Sequence, residues 1–316
     1  ILTKMNKVVV GIDIGGTITK IGLIDKGGNC ISKTSFRTKE NSDFNDFIKN
    51  IYNSIIKLNI KNFDILSIGI GAPNANSLKG TIETPANLNW KGKLEIVKKL
   101  GNFFDVKIKL SNDANCAAMG EMLYGNAKSF DDFIVITLGT GLGSGIVSNG
   151  KLIQGYDGFA GELGHFSIKE DGRLTGLGIK GGLESYVSAT GLKRTIMFML
   201  AKYTDNSIFR KVPFNELHGE DITKAAEKND PIAVKAYEYT GKILGKSLAN
   251  FVSFSQPEAI ILTGGLANSG KWILKPTIFH FEKNLLPFYK NKVKILESGL
   301  EEKDAAILGA AALAWK

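Results

Sequence analysis

The stretch VVVGIDIGGTITKIGLID at 8–25 decides the fold of the first part of the chain. Runs of Val and Ile on both sides of a glycine pair predict two β-strands joined by a tight turn. The aspartate inside the first strand costs free energy unless a partner such as Mg²⁺ neutralises it, and the turn leaves N–H groups open to an anion. The pattern is typical of a phosphate-binding hairpin, although a plain hairpin has the same spacing. The candidate contacts are Asp13, Gly15, Gly16, Thr17 and Lys20.

A second stretch, FIVITLGTGLGSGIVSNG at 133–150, repeats this order of an apolar strand, a Gly/Thr turn and another apolar strand. Two such hairpins, one in each half of the chain, predict a duplicated architecture. We expect them to face each other across a cleft and to hold one polyphosphate. A dinucleotide-binding fingerprint needs a helix directly after its glycines, and a strand follows here instead. The candidate phosphate contacts are Gly139, Thr140, Gly141 and Gly143.

Composition narrows the class of protein. A chain of 316 residues is long for one domain and predicts two lobes. The net charge of +9 is spread along the sequence, which favours an anionic substrate over nucleic acid. Cys30 and Cys116 form neither a disulfide framework nor a zinc site and fit the reducing cytoplasm. We expect neither a signal peptide nor a membrane segment, because the longest apolar stretch, 305–315, is too short to span a bilayer.

Polar residues at predicted strand ends are the first candidates for substrate binding, because ligands favour this position in open α/β sheets. A strand over 106–110 leads into Asn112 and Asp113. Either residue can cap the helix that follows, and Asp113 can instead act as a general base. The segment TPANLNW at 84–90 carries amides and an indole that suit a polyol. Its alternative is an ordinary loop with an anchoring tryptophan.

Two further candidates lie after the second hairpin. GFAGELGHF at 158–166 presents Glu162 and His165 among glycines, where a ligand can reach them. The alternative is a satisfied histidine beside a surface glutamate. A helix is predicted to begin at 183–186, and Glu184 in its first turn can simply favour the helix dipole.

The remaining sequence predicts alternating helices and strands. Ser42 or Asp43 opens a helix, Pro231 begins a long helix over 232–254, and 303–315 forms the closing helix. A third glycine turn follows a buried strand at 259–262. We expect Gly264 and Gly265 in this turn to contact the nucleoside end of the ligand.

Taken in order, these motifs resemble those of the ROK sugar kinases from about residue 6 to 314. The motifs are DIGGT at 13–17, Asn112-Asp113, LGTGLG at 138–143, GELGH at 161–165, Leu183-Glu184 and TGG at 263–265. The resemblance implies an α/β fold similar to actin and hexokinase, which is a ribonuclease H-like architecture of two lobes with an interlobe cleft. We expect a small lobe of 1–115 plus 302–316 and a large lobe of 116–301.

The resemblance also implies ATP-dependent phosphorylation of a hexose, with Asp113 at the position of the catalytic base and Mg²⁺ bound near Asp13. The implied sugar contacts are Asn87, Asn112, Asp113, Glu162, His165 and Glu184. Both hairpin turns match the family's phosphate loops, and Gly264 and Gly265 match its adenosine side. Lys20 stays a candidate ATP contact from its place in the first hairpin. Glucose, giving glucose 6-phosphate, is preferred because the Glu/His/Glu set is present. N-acetylmannosamine and N-acetylglucosamine stay open as acceptors, and so does a non-catalytic sugar sensor. The resemblance suggests a homodimer.

The chain departs from many ROK proteins at TGLGIKGGLE, 175–184, where the family pattern is CxCGxxGCxE. The three cysteine positions hold Thr175, Leu177 and Gly182, none of which is a plausible zinc ligand. We therefore predict no zinc, with His165 left to contact the sugar and Leu177 anchoring the segment by packing. ROK repressors carry an N-terminal helix-turn-helix, and a chain that starts at the phosphate hairpin is not expected to be one.

Overall fold

The computed structural model describes residues 7–41, 43–59, 63–84 and 88–316. The strands are β1 Lys7–Ile14, β2 Ile18–Ile24, β3 Cys30–Arg37, β4 Asp64–Gly71, β5 Ala75–Asn76, β6 Thr81–Glu83, β7 Lys93–Leu94, β8 Lys107–Ser111, β9 Phe133–Leu138, β10 Leu142–Ser148, β11 Lys151–Leu152, β12 Ala259–Thr263 and β13 Lys294–Glu297. The α-helices are α1 Phe44–Leu58, α2 Ile96–Gly101, α3 Asp113–Leu123, α4 Ala189–Lys202, α5 Gly219–Glu227, α6 Pro231–Ser255, α7 Lys271–Asn284 and α8 Glu302–Trp315. Short 3₁₀ turns are Thr38–Glu40, Leu163–His165, Leu183–Ser185, Ile208–Lys211, Phe214–Glu216, Ala267–Ser269 and Pro287–Tyr289.

The chain divides into two compact units, each assembled from separate stretches of sequence. The first comprises Ile1–Phe130, Gly145–Gly161 and Ser298–Lys316, and the second comprises Asp131–Ser144 and Glu162–Glu297. These bounds differ from the lobes expected at 1–115 plus 302–316 and at 116–301. The first unit extends beyond 115 because α3, which begins near the expected boundary, packs along α8 of the same unit.

The sheet of the first unit has the strand order β3-β2-β1-β4-β8. The antiparallel pairing of β1 with β2 confirms the predicted hairpin, and β3 extends it as a second antiparallel neighbour. β4 and β8 pair in parallel on the other side of β1. A small antiparallel sheet, β5-β6-β7, belongs to the same unit.

Helices cover both faces of this sheet, which is why β1 is apolar along nearly its whole length. Ile12 lies in the core cluster that contains Phe47 of α1. Val9 points to the opposite face and lies in a cluster with Ile307 and Ala311 of α8. The alternation of side chains along a strand therefore explains both halves of the apolar run.

Aspartates open two of the predicted helices. The side chain of Asp43 accepts hydrogen bonds from the N–H groups of Asn45 and Asp46 at the start of α1. Asp230 does the same at the start of α6, whose first residue is Pro231 as expected. Such caps satisfy donors that have no partner inside the helix. Ser42, the other candidate for α1, lies outside the described residues.

In the second unit, β9 and β13 flank β12 as parallel partners. α6 packs against α7 and α4. The helix expected at 183–186 is instead the single 3₁₀ turn Leu183–Ser185. α4 begins later because Ser188 forms its N-cap and accepts the N–H of Gly191 at 3.0 Å. Within the described ranges, every helix is too short or too polar to cross a bilayer.

Candidate active site

The ends of three parallel strands bring together residues that are far apart in the sequence. Asp13 on β1 pairs in register with Gly71 on β4, and Gly71 pairs with Ser111 at the end of β8. Asn112 and Asp113 follow Ser111 directly. Ligands favour this edge of an open α/β sheet. Asp13 and Asp113 therefore share one edge of the first unit's sheet.

Asn112 and Asp113 divide the two roles that the sequence left open. Asn112 is the N-cap of α3, and its side-chain oxygen accepts the N–H of Ala114 at 2.8 Å. Asp113 is the first residue of α3, and its Oδ1 also accepts this N–H at 2.8 Å. The Asp113 side chain is exposed to solvent. Because Asn112 caps the helix, the Asp113 carboxylate can face a substrate.

Burial and repulsion set the charge of this carboxylate pair. Burial, followed by the nearby Asp113, raises the pKa of Asp13 to about 6, against the effect of Lys20 opposite it on β2. Desolvation also raises the pKa of Asp113, although the hydrogen bond from the N–H of Ala114 acts to lower it. Asp113 is accessible to water, yet the protein atoms around it are dense enough to disfavour its charged form. A raised pKa makes Asp113 a stronger base.

The turn between β1 and β2 is held in place by Thr38. The N–H of Thr38 donates to the carbonyl oxygen of Thr17 at 2.9 Å, and its Oγ1 donates to that of Gly15 at 2.8 Å. Gly15 also donates its N–H to the carbonyl oxygen of Ile18 at 3.0 Å, while the Thr17 side chain is exposed. The turn is thus ordered by its own contacts. Sequence reasoning missed Thr38 because it follows β3, beyond the hairpin.

The second and third glycine turns lie at one sheet edge of the second unit, because they follow the parallel neighbours β9 and β12. Gly264 has a φ of +94°, and a Cβ there would lie 2.8 Å from the carbonyl oxygen of Leu138. Its glycine is therefore required by the close approach of the two turns. Gly143, predicted to bind phosphate, donates its N–H to Oγ1 of Thr137 at 3.2 Å.

Glu184 contacts the second glycine turn, which the sequence did not indicate. Its Oε2 accepts the N–H of Leu142 at 3.2 Å, and its Oε1 accepts the N–H of Gly176 at 3.4 Å. A Cβ on Gly141 would lie 2.5 Å from Oε2 of Glu184. Gly141 therefore makes room for this carboxylate. Glu184 joins the turn to the segment at 175–184 and does not serve a helix dipole, because no α-helix begins there.

Glu162 and His165 lie at the two ends of one short turn in the second unit. Glu162 precedes the 3₁₀ turn Leu163–His165, and its Oε2 is 3.8 Å from Nε2 of His165. Glu162 is exposed and His165 is partly buried. In the described part of the chain, Nδ1 of His165 is buried and has no hydrogen-bond partner. The pair offers a carboxylate and an imidazole, groups that suit neighbouring hydroxyls.

Comparison with known proteins identifies the family to which the chain belongs. The sequence model of the ROK family matches residues 9–316. The chain belongs to the ROK family. It is 32% identical to the glucokinase of Halalkalibacterium halodurans over 88% of this chain and 86% of that protein. It is 26% identical to the N-acetylgalactosamine kinase AgaK of Shewanella sp. strain ANA-3 over 81% of each protein.

A solved ROK structure matches almost the whole chain. The ROK family glucokinase from Streptomyces griseus, crystallised with glucose and AMPPNP, has a TM-score of 0.81 and 30% sequence identity to it. The match covers 98% of this chain and 99% of that chain. The predicted ROK membership and α/β fold class are therefore confirmed.

The ROK resemblance implies structural zinc beside His165, but the residues present do not fit this metal. A Cβ on Gly182 would lie 2.5 Å from Cγ2 of Thr175 and 3.7 Å from Cα of His165, so these positions do converge. Only His165 among them has a nitrogen or sulfur side-chain donor for zinc. In the ranges that the structure describes, no three His, Cys, Asp or Glu side chains form a metal-binding group.

The prediction that Leu177 anchors the segment at 175–184 is wrong. Leu177 is 65% exposed, whereas Thr175 is buried. The N–H of Thr175 donates to the carbonyl oxygen of Ile179 at 2.8 Å, and the N–H of Ile179 donates to Oγ1 of Thr175 at 3.1 Å. Hydrogen bonds of a buried threonine therefore shape the segment, and Leu177 projects into solvent.

The segment at 84–90 is only partly described. Asn87, a predicted sugar contact, lies outside the described residues. The ring of Trp90 is buried and packs 4.6 Å from that of Phe47 and 5.4 Å from that of Phe44, measured between centroids. Trp90 therefore anchors the segment to α1, as the alternative interpretation of this loop expected.

Proposed function

We propose that this ROK protein is an ATP-dependent hexose kinase that transfers the γ-phosphate of Mg·ATP to glucose, giving glucose 6-phosphate. The observation that carries the proposal is the Asp113 carboxylate. It is accessible to solvent, has a raised pKa and shares its sheet edge with Asp13. The similarity to glucokinases supports glucose as the acceptor.

Asp113 acts as the general base in the proposed reaction. It takes the proton of the sugar hydroxyl while the hydroxyl oxygen attacks the γ-phosphorus. The new P–O bond forms, the bond from the γ-phosphorus to the β-phosphate oxygen breaks, and ADP leaves. General-base catalysis of this kind is typically worth about 10²–10⁴-fold in rate. Asn112 supports the base by fixing the first turn of α3.

Phosphate binding and charge neutralisation make up the rest of phosphoryl transfer. In the first unit, we assign phosphate contacts to the N–H group of Gly16, the Thr17 hydroxyl and the Lys20 ammonium group. Gly15 shapes the turn, and its own N–H is donated to the carbonyl oxygen of Ile18. Asp13 fits a Mg²⁺ ion because its carboxylate supplies the oxygen ligand that Mg²⁺ prefers. Burial disfavours the negative charge of this carboxylate, and a bound cation would compensate it. Mg²⁺ supplies neutralisation of the phosphate charge when bound.

The second unit carries the remaining proposed contacts. Sugar hydroxyls are assigned there to Glu162, His165 and Glu184. Asn87 and Asn112 are also assigned to the sugar. Sites that hydrogen-bond a hydroxyl reject sugars that lack it, because a buried polar group would be left unpaired. The nucleotide contacts assigned to this unit are Gly139, Thr140, Gly141, Gly143, Gly264 and Gly265.

A coupled ADP-release assay tests the proposal on the wild type and Asp113→Asn. We expect turnover with glucose and Mg·ATP, and a fall in kcat of at least ~100-fold in the variant. Glucose must still shift the melting temperature of Asp113→Asn, which shows that the fold and sugar binding survive. ADP release without any sugar would mean an ATPase. Sugar binding without turnover in the wild type would mean a sensor. Either result would overturn the proposal.

N-acetylhexosamines are the second candidate acceptors. The similarity to the N-acetylgalactosamine kinase AgaK favours this class. The same assay on N-acetylmannosamine, N-acetylglucosamine and N-acetylgalactosamine separates the two candidates by kcat/KM. A higher kcat/KM for any of these than for glucose would replace glucose as the acceptor.

Three further features belong to the proposal. We propose that the chain works without zinc, because Thr175, Leu177 and Gly182 offer no thiolate. A homodimer follows the ROK resemblance, and sedimentation equilibrium should give twice the chain mass of 34.2 kDa. The use of ATP as phosphoryl donor supports a cytoplasmic location.

A further inference from the structure

The segment that carries zinc cysteines in many ROK proteins must be ordered here by another means. It leads directly into the turn of Glu184, whose carboxylate lies between the N–H groups of Gly176 and Leu142. Leu177 does not hold the segment, since its side chain projects into solvent. Arg173 lies just before this segment and makes contact with Ser185 and Tyr186, which directly follow it.

One guanidinium nitrogen of Arg173 has three acceptors within hydrogen-bond distance, which share its two hydrogens. This nitrogen, Nη1, lies 2.9 Å from Oγ1 of Thr195, 3.2 Å from the carbonyl oxygen of Gly191 and 3.3 Å from that of Ser185. These acceptors belong to α4 and to the 3₁₀ turn that contains Glu184. One cation therefore ties the start of α4 to the Glu184 turn.

The backbone and ring contacts of Arg173 strengthen the same connection. Its guanidinium carbon lies 4.7 Å from the ring centroid of Tyr186, a cation–π geometry. The N–H of Arg173 donates to the Tyr186 hydroxyl at 3.0 Å, and Oγ of Ser185 donates to the Arg173 carbonyl oxygen at 3.2 Å. Ser185 and Tyr186, both buried, directly follow Glu184 in the chain.

The position of Glu184 depends on these contacts because its own backbone lies between them. The residues after Glu184 are fixed by Arg173, while Gly182 before it packs on Thr175. A lysine could not replace the planar guanidinium in both stacking and hydrogen bonding. Burial lowers the pKa of Arg173 from its usual value, and arginine nevertheless stays protonated.

We propose that Arg173 is a positioning residue that orders the Glu184 turn in place of the zinc ion. The inference rests on the proposed function, in which Glu184 binds a sugar hydroxyl. Arg173 does not touch the substrate. It sets the orientation of the group that does.

A double-mutant cycle with Arg173→Ala and Glu184→Gln tests this role. We expect Arg173→Ala to raise the KM for glucose about tenfold, the effect of one misplaced charge-assisted hydrogen bond. The kcat and the KM for ATP should change less. Once Glu184→Gln is present, adding Arg173→Ala should raise the KM for glucose little further, because coupled residues are non-additive. Additive effects would overturn the inference.

Arg194→Ala is the matched control. Arg194 also holds this segment, by one hydrogen bond from Nη1 to the carbonyl oxygen of Leu174 at 2.7 Å. It makes no contact with the Glu184 turn among the hydrogen bonds of the described residues, so its removal should leave the KM for glucose unchanged. Arg173→Lys, which keeps the charge, should give an intermediate KM. An equal rise of KM in Arg194→Ala would mean that general loosening of the segment is responsible.

Amide hydrogen exchange separates the failure of this inference from the failure of the proposed function. Arg173→Ala should speed exchange at Leu142 and Gly176, whose N–H groups bind Glu184, and leave α6 unchanged. This readout needs no sugar turnover. If no sugar is phosphorylated by the wild type, the proposed function fails while exchange still tests Arg173. Unchanged exchange at both amides would overturn the positioning role.

Zinc analysis completes the test. We expect the purified wild type to contain no stoichiometric zinc. Treatment with EDTA, followed by its removal and restoration of Mg²⁺ for the assay, should leave exchange at Leu142 and the KM for glucose unchanged. One equivalent of bound zinc whose removal speeds exchange at Leu142 would show that the metal orders the segment. That result would overturn the role of Arg173 in place of zinc.

Discussion

Asp13 illustrates at the residue scale how a partly buried carboxylate opposes folding stability. Its pKa of about 6 lies above the ordinary value of 3.8, chiefly because of burial. The native state therefore binds the proton more tightly than the unfolded state does. Stability contributed by this proton is present below pH 3.8 and is lost as the pH rises through about 6.

We expect Asp13→Asn to stabilise the fold at pH 7.5 without nucleotide. The gain should be about 2 kcal/mol, which is the free energy of the pKa shift reduced for the partial exposure of the side chain. Urea unfolding of both proteins at pH 7.5 and pH 4 measures it. The difference between the proteins should be much smaller at pH 4, where Asp13 is largely protonated when folded. A variant less stable than the wild type at pH 7.5 would contradict the assignment.

Asp113 predicts the acidic limb of the pH–rate profile. The proposed base must be deprotonated, and desolvation raises its pKa. The kcat/KM for glucose should therefore fall as the pH is lowered, with a midpoint above the ordinary aspartate value of 3.8. The pKa of Asp13 is also raised and Asp13 lies near Asp113, so the limb reports the carboxylate pair. A midpoint at or below 3.8 would contradict this environment for Asp113.

At the scale of elements, the second glycine turn holds the Glu184 carboxylate, which its sequence motif does not indicate. We expect Gly141→Ala to raise the KM for glucose about tenfold, because the new Cβ displaces the Glu184 carboxylate and one charge-assisted hydrogen bond is lost. Gly176→Ala is the control, since its Cβ would lie 3.9 Å from Glu184 Oε1 and would leave the N–H in place. Steady-state kinetics on both variants measure the effect. A change in the KM for ATP with an unchanged KM for glucose would contradict the role of Gly141 in making room for Glu184.

Local sequence patterns predicted an element well where the residues that stabilise the element lie within the pattern itself. The hairpin at Gly15-Gly16 is formed by neighbouring residues, and Asp230 with Pro231 marks the start of α6 in the sequence itself. The helix expected at 183–186 was wrong because a serine at 188, not the acidic residue before it, supplies the cap. In the sequence, nothing marks Ser188 as a better helix start than Glu184. Only the turn between these residues shows where the helix begins.

At the scale of the whole molecule, the first unit depends on the last helix of the chain. Ile307, Leu308, Ala311 and Ala314 of α8 form a core cluster with Val9 of β1. Ser67 of β4 also donates its hydroxyl to the carbonyl oxygen of Ala314 at 2.8 Å. The unit is therefore closed by a helix that lies far from β1 and β4 in the sequence.

We expect truncation after Leu300 to unfold the first unit. Exposure of the apolar side chains that pack in this cluster should cost on the order of 5–10 kcal/mol, comparable with the whole stability of a domain. Hydrogen exchange of β1 and β4 measures the loss. Truncation after Trp315 is the control and should leave exchange unchanged. Retained protection of β1 without α8 would show that this unit closes on its own.

The short strands β5, β6, β7 and β11 were not predicted. The first hairpin, the glycine turns, the long helix α6 and the ROK motifs were predicted from the sequence alone. These are properties of short, contiguous patterns, such as apolar alternation and paired glycines. Tertiary structure decided that Asn112 caps α3, that Gly141 makes room for Glu184 and that Arg173 ties the Glu184 turn to α4. The contacts of Gly141 and Arg173 join residues that are far apart in the sequence. The role of Asn112 is a choice between two adjacent residues, and packing makes that choice. Their distances exist only once the chain has folded.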